Sequence, residues 1–109
     1  MTNYQEFLQV ALEASATAGD IIKSAFQQNF RDFKVKPDNT PVTIIDQQCE
    51  ELIKDKISHI FPDHGFIGEE TGNHSRSEFN WIIDPIDGTK NFIRGIPLFG
   101  SLIALMHVS

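Results

Sequence analysis

Cysteine is nearly absent from this chain: Cys49 is the only one in 109 residues. No internal disulfide can therefore form, and the even cysteine set typical of small secreted domains is missing. Basic residues are scarce as well. The 9 Lys and Arg stand against 15 Asp and Glu, a formal net charge of −6. That balance excludes a general nucleic-acid binder, which must neutralise phosphates with a basic surface. Long apolar runs are also missing: no window approaches the roughly 18 consecutive apolar residues of a membrane span. Met1 to Val10 has neither the positive charge nor the uninterrupted apolar block of a signal peptide. These absences point to a cytoplasmic protein without nucleic-acid or membrane partners.

What is present describes a folding sequence. Hydrophobic residues make up 40% and charged residues 22%, too apolar for a disordered acidic chain. From Asn3 to Phe30, residues Phe7, Ala11, Ala14, Ala18, Ile21, Ile22 and Ala25 recur at helical spacing, which predicts a long amphipathic helix capped by Thr2 or Asn3. Gly19 interrupts it, suggesting close packing at that position. Phe33 to Lys36 reads as a short strand, and Lys36 to Pro41 as a loop rich in turn formers. A second helix begins between Thr43 and Asp46. It places Cys49, Leu52, Ile53, Ile57 and Ile60 on one face and Glu50, Glu51, Lys54 and Asp55 opposite. Pro62 closes it. Phe66-Ile67 is a brief apolar run, and Thr71 to Glu78 is polar and loop-like. Trp81-Ile82-Ile83 has the pattern of a buried strand stopped by Asp84-Pro85, and Leu98 to Val108 is a longer strand. Two helices followed by several strands suggest an α+β layer with the helices grouped on one sheet face.

The informative stretch is WIIDPIDGTKNFIRGIP, residues 81–97. A buried strand delivers Asp84 at its end and Asp87 follows three residues later. Two carboxylates about 4 Å apart repel by roughly 4 kcal/mol at an effective dielectric near 20, and Glu69 from another strand end would add to this. A divalent cation removes that repulsion, and oxygen ligands favour Mg²⁺ or Mn²⁺. Gly88 and Thr89 then open a short helix whose free N–H groups suit an anion. Read alone, Asp87-Gly88 is more often a surface turn than a metal site, and Glu69-Glu70 is most often a solvated pair of charges. An EF-hand is excluded, because Ile86 and Gly88 stand where its loop needs oxygen-bearing side chains. The four histidines lack paired metal spacing, and Cys49 on the apolar helix face reads as core. Residue chemistry thus reaches a Mg²⁺-phosphate site and a bland alternative, and leaves both open.

The combination of FIGEE at 66–70 with the 81–97 stretch resembles the inositol monophosphatase superfamily. Its signature is W-x-x-D-P-x-D-G-T-x-N-F, preceded by a G-E-E strand end. PVTIID at 41–46 is similar to that family's loop and helix start carrying an Asp, so the resemblance covers the whole chain. It implies a Mg²⁺-dependent, Li⁺-sensitive phosphomonoesterase built from alternating helix and sheet layers. This chain would form the N-terminal part of that α/β/α/β/α sugar-phosphatase fold, with two long helices on an incomplete, mainly antiparallel sheet. By position, Glu69, Asp84, the Ile86 carbonyl and Asp87 would be metal ligands. Glu70 would help orient the attacking water, Thr89 would pair with Asp46 to activate it, and the N–H groups of Gly88 and Thr89 would hold the phosphate. Lys36, Lys90 and Arg94 remain either substrate contacts or solvated charges.

The run from Lys36 to Thr43 and the residues after Phe92 are more similar to the histidinol-phosphatase branch. Histidinol phosphate is therefore expected as substrate, ahead of inositol monophosphate, with a nucleotide or sugar bisphosphate third. Family members are much longer, are commonly homodimers, and carry a further Asp ligand in a W-D-x-A-type motif that these 109 residues lack. Residues 1–109 are thus expected to be the N-terminal portion of a phosphatase domain. A catalytically silent fragment that keeps partial metal and phosphate binding is the alternative. Leu98 to Val108 would then be an interior strand with an open hydrophobic edge.

Overall fold

The computed structural model describes residues 3–29, 32–38, 41–68, 73–74 and 77–108, with the backbone alone at 41, 42, 73 and 74. Glu69 and Glu70 lie outside the described residues. Helix α1 spans Tyr4–Gln27 and starts where the Asn3 side chain accepts a hydrogen bond from the Glu6 N–H at 3.3 Å, satisfying one orphan donor of the first turn. Its buried stripe is Val10, Ala14, Ala18, Ile22 and Ala25. The close approach falls at Ala18, whose carbonyl lies 3.8 Å from the Cys49 Sγ. The close packing expected at Gly19 is not found: a Cβ there would meet nothing within 4 Å.

Strands β1 (Phe33–Val35) and β2 (Pro41–Thr43) pair antiparallel, Phe33 opposite Thr43. The sequence reading missed β2 because Pro41 looks like a loop former. Proline is nonetheless tolerated as the first residue of a strand, where its missing N–H breaks no ladder. Helix α2 (Ile44–Ile60) follows directly and is capped reciprocally. The Asp46 N–H donates to Thr43 Oγ1, and the Thr43 N–H donates back to the Asp46 carboxylate. Its buried residues are Ile45, Asp46, Cys49, Glu50, Ile53 and Ile57. This corrects the expected faces: Glu50 is fully buried rather than solvated, and Ile60 is 44% exposed.

The chain then builds a four-stranded sheet in the order β4-β3-β5-β6, from β3 (Gly65–Gly68), β4 (Asn73–His74), β5 (Phe79–Asp87) and β6 (Gly100–His107). The 71–78 stretch read as loop thus contributes β4, and strands precede as well as follow α2. β4 pairs antiparallel with β3 and β6 antiparallel with β5, whereas β3 and β5 run parallel with Gly68 level with Ile83. The fold is α+β with helices packed on a mainly antiparallel sheet, as the sequence suggested. Strand β5 does not stop at Asp84-Pro85 but runs on to Asp87.

The core lies between the helices and one sheet face, where Trp81, Ile83, Phe66, Ile53, Ile57 and Phe92 are all nearly inaccessible. At one end Phe7 packs edge-on against Phe61 and His64, and His64 stacks on Phe61 with ring centroids 4.6 Å apart. The opposite face of β5 and β6 exposes Ile82 (42%), Leu102 (54%) and Met106 (38%). Among the described residues, no helix is long and apolar enough to cross a membrane.

Candidate active site

Strand alternation would send Asp84 and Asp87 to opposite faces, because residues three apart differ by an odd step. The register prevents this. Asp84 pairs with Leu102 and Asp87 with Gly100, so three steps along β5 are matched by two along β6. The extra residue is a bulge, placed where Pro85 has no N–H to give the ladder. It returns Asp87 to the side of the sheet that Asp84 occupies. Pro85 is fully buried and Ile86 is 2% exposed, so the bulge is clamped by packing.

Immediately beyond, Gly88 turns the chain with φ +95° and caps α3 (Thr89–Ile93). A Cβ at Gly88 would stand 3.0 Å from the Leu98 carbonyl oxygen and 3.3 Å from Phe99 Cβ. Both the left-handed backbone and the crowding therefore require glycine. The buried Phe92, packed against Phe26 and Phe99, anchors this short helix to the core. Asn91 Nδ2 donates to the Leu98 carbonyl at 2.8 Å and fixes the returning loop.

Thr89 and Asp46, 43 residues apart in sequence, meet here. Thr89 Oγ1 lies 3.3 Å from Asp46 Oδ1 and 3.0 Å from the Ile86 carbonyl oxygen, sharing its one proton between two acceptors. The other Asp46 oxygen, Oδ2, accepts from the Thr43 N–H at 2.8 Å and the Thr43 hydroxyl at 2.6 Å. Two donors on Oδ2 lock the carboxylate, which is 3% exposed, and leave Oδ1 facing Thr89. The Ile86 carbonyl keeps a second lone pair beyond the Thr89 hydroxyl.

Of the expected site residues, the structure thus gathers Asp46, Asp84, Ile86, Asp87, Gly88 and Thr89 around the end of β5. Among the described residues no group of three or more His, Cys, Asp or Glu is placed to hold a metal ion. The donors present, two carboxylates on one side of a bulge and a carbonyl, are all hard oxygens and fit a cation of the Mg²⁺ type. Lys90 and Arg94 are exposed. Cys49 is buried, and burial together with the Asp46 charge pushes its thiol up to about 11, which suits core and not nucleophile.

Sequence reasoning missed Thr43 as the lock on Asp46, and it missed Glu50. The signal for Glu50 was there. It follows Asp46 by four residues and precedes Ile53 by three, a spacing that shares one helix face.

A bulged acidic strand end running into a glycine-capped helix brings carboxylates, a carbonyl and a helix start together in one place. Comparison with known proteins makes this specific. Residues 3–108 match the model of the inositol monophosphatase family, and the chain belongs to that family, which is a metal-dependent one. A histidinol-phosphatase of Chlorobaculum parvum is 48% identical over 99 residues, covering 90% of this chain and 38% of the relative. A fructose-1,6-bisphosphatase/inositol-1-monophosphatase of Aquifex aeolicus is 39% identical over 108 residues, covering 97% of this chain and 41% of the relative. The crystal structure of extragenic suppressor protein suhB from Bartonella henselae superposes with a TM-score of 0.86 at 30% identity, covering 94% of this chain and 41% of that one. The chain therefore spans about 40% of the length of the relatives it matches.

Proposed function

We propose that this chain is the N-terminal portion of a Mg²⁺-dependent phosphomonoesterase that hydrolyses histidinol phosphate to histidinol and phosphate. The observation that carries the reading is the contact of Thr89 Oγ1 with Asp46 Oδ1 at 3.3 Å, beside Asp84 and Asp87 at the end of one strand. In this reading Asp84, Asp87, the Ile86 carbonyl and Glu69 hold the cation. A bound Mg²⁺ supplies charge neutralisation for the phosphate and a lowered pKa for water at the site. Thr89 orients the attacking water through its hydroxyl oxygen and passes its proton toward Asp46 Oδ1, the oxygen left open by the Thr43 lock. Glu70 assists in orienting that water. The backbone N–H groups of Gly88 and Thr89 hold the phosphate, favoured by the positive end of the helix.

Histidinol phosphate stands ahead of inositol monophosphate because a relative at 48% identity is named histidinol-phosphatase, whereas a relative named inositol monophosphatase stands at 42%. Phosphate release from both compounds, with and without Mg²⁺ and with matched Asp87→Asn protein, tests this. Release from histidinol phosphate that needs Mg²⁺ and disappears in Asp87→Asn is expected. Equal rates with and without metal reject the mechanism.

A second reading has its own support. The chain spans about 40% of the length of its relatives. On this reading the chain binds cation and phosphate without turnover, since positioning of the substrate is incomplete. Hydrolysis of either substrate at a rate normal for the family would refute it.

A further inference from the structure

Helix α2 carries a second buried acid one turn beyond Asp46. Glu50 is fully buried, and its carboxyl group lies against the backbone of Gly68, the last residue of β3. A Cβ added at residue 68 would stand 2.7 Å from Glu50 Cδ and 2.8 Å from both carboxylate oxygens. Nothing but glycine fits there while Glu50 holds its place. Lys54 Nζ approaches Glu50 Oε2 at 3.8 Å and is itself largely covered.

A carboxylate taken out of water costs several kcal/mol even when paired, and an apolar side chain of similar volume is often as stable or more so. Packing alone therefore does not explain an acid between Cys49 and Ile53. Its location does suggest a reason. The residue after Gly68 is Glu69, and Gly68 stands level with Ile83, the neighbour of Asp84, in the parallel β3-β5 pair. One face of α2 thus touches both strand ends that lead to the acidic site: Asp46 meets Thr89 beyond β5, and Glu50 meets Gly68 at the end of β3.

We infer that Glu50 is a positioning residue: pressed against Gly68, its carboxyl group fixes the end of β3 alongside the Ile83–Asp84 end of β5, where the acidic site is built. The inference rests on the reading of Glu69 as a cation ligand. Glu50 touches neither cation nor substrate and acts through Gly68.

The test uses the full 109-residue chain and Mn²⁺ as probe, with free Mn²⁺ read by electron paramagnetic resonance. Amide hydrogen exchange over residues 66–70 is measured without metal, and urea unfolding checks that each variant is folded. Glu50→Leu should weaken Mn²⁺ binding at least about tenfold, the usual scale when a group supporting a ligand is lost. It should also raise exchange over 66–70 while its unfolding midpoint stays at or above wild type. Glu50→Gln, which keeps the shape, should recover most of the affinity. Gly68→Ala should weaken binding in wild type but add little in a Glu50→Ala background, where the methyl enters vacated space, a non-additivity expected of groups in contact. Wild-type affinity and wild-type exchange in folded Glu50→Leu would overturn the positioning role while leaving the site reading intact. Failure of the wild-type chain to bind Mn²⁺ at all would overturn the ligand reading, and with it any role for Glu50 toward the cation.

Discussion

Removing the Asp46 carboxylate separates its structural duty from its chemical one. In Asp46→Ala the Thr43 N–H and hydroxyl lose the acceptor at 2.8 and 2.6 Å, and Thr89 loses its partner at 3.3 Å. Thr89 keeps the Ile86 carbonyl at 3.0 Å, and the Thr43 hydroxyl keeps the residue-46 N–H as donor. The Thr43 N–H has no such fallback, since Thr43 is 2% exposed and water cannot replace the lost oxygen. The lost bond from the Thr43 hydroxyl costs about 1 kcal/mol, and the orphaned buried N–H adds about 1–3 kcal/mol. The sum is roughly 2–4 kcal/mol. Asp46→Asn keeps one amide oxygen for Thr43 and should lose only about 1 kcal/mol, yet it presents no carboxylate to Thr89. Equilibrium urea unfolding followed by the fluorescence of Trp81, the only tryptophan, measures both. The midpoint should fall much further for Ala than for Asn at unchanged slope. Equal losses in the two variants, or a loss below about 0.5 kcal/mol in Asp46→Ala, would refute the assignment of the cap to this side chain.

Gly88→Ala should cost about 1–3 kcal/mol, because φ is +95° and the Leu98 carbonyl stands 3.0 Å from the new methyl; calorimetric melting checks it, and an unchanged melting temperature counts against the geometry. Cys49, fully buried with its thiol raised to about 11, should react with a thiol reagent only at the rate of opening or unfolding, so prompt labelling of native protein would contradict its placement. His64 accepts a hydrogen bond from Trp81 Nε1–H at 3.0 Å through Nδ1, and burial lowers its pKa from 6.5 against the opposing pull of Asp63 and Glu78. The unfolded chain then takes up this proton first as pH falls. The contribution of His64 is therefore level above pH 6.5 and declines below it, down to the folded pKa. Trp81 fluorescence should change in the same acid range, and His64→Phe should remove that change; persistence of the change in the variant would assign it elsewhere.

Much of this arrangement was legible in the residues. Helical periodicity located both long helices to within a few residues, since their apolar stripes and the Thr43 to Asp46 cap are local signals. The pattern Asp84-Pro85-Ile86-Asp87-Gly88-Thr89 located the acidic strand end. What stayed hidden depends on partners distant in sequence. Pro85 reads as a strand breaker, yet β5 absorbs it in a bulge that only the β6 register defines. Glu50 reads as solvent-facing because its charge outweighs its spacing, and its burial is a consequence of Gly68 and Lys54 closing around it. Gly19 carried a packing expectation that belonged to its neighbour Ala18, one position around the helix.

The parallel pairing of β3 with β5 also governs how the molecule folds. Antiparallel neighbours such as β5 and β6 can zip from a connecting segment, but parallel strands must be brought alongside by a crossover and find register by search. Gly68 meets Ile83 only when that search ends, so the end of β3 comes level with the Asp84 end of β5 at its close. Acid-site assembly should then be among the last events of folding. A cation that binds this site would select molecules whose slowest pairing is already complete, making metal uptake during refolding a clock for the final step.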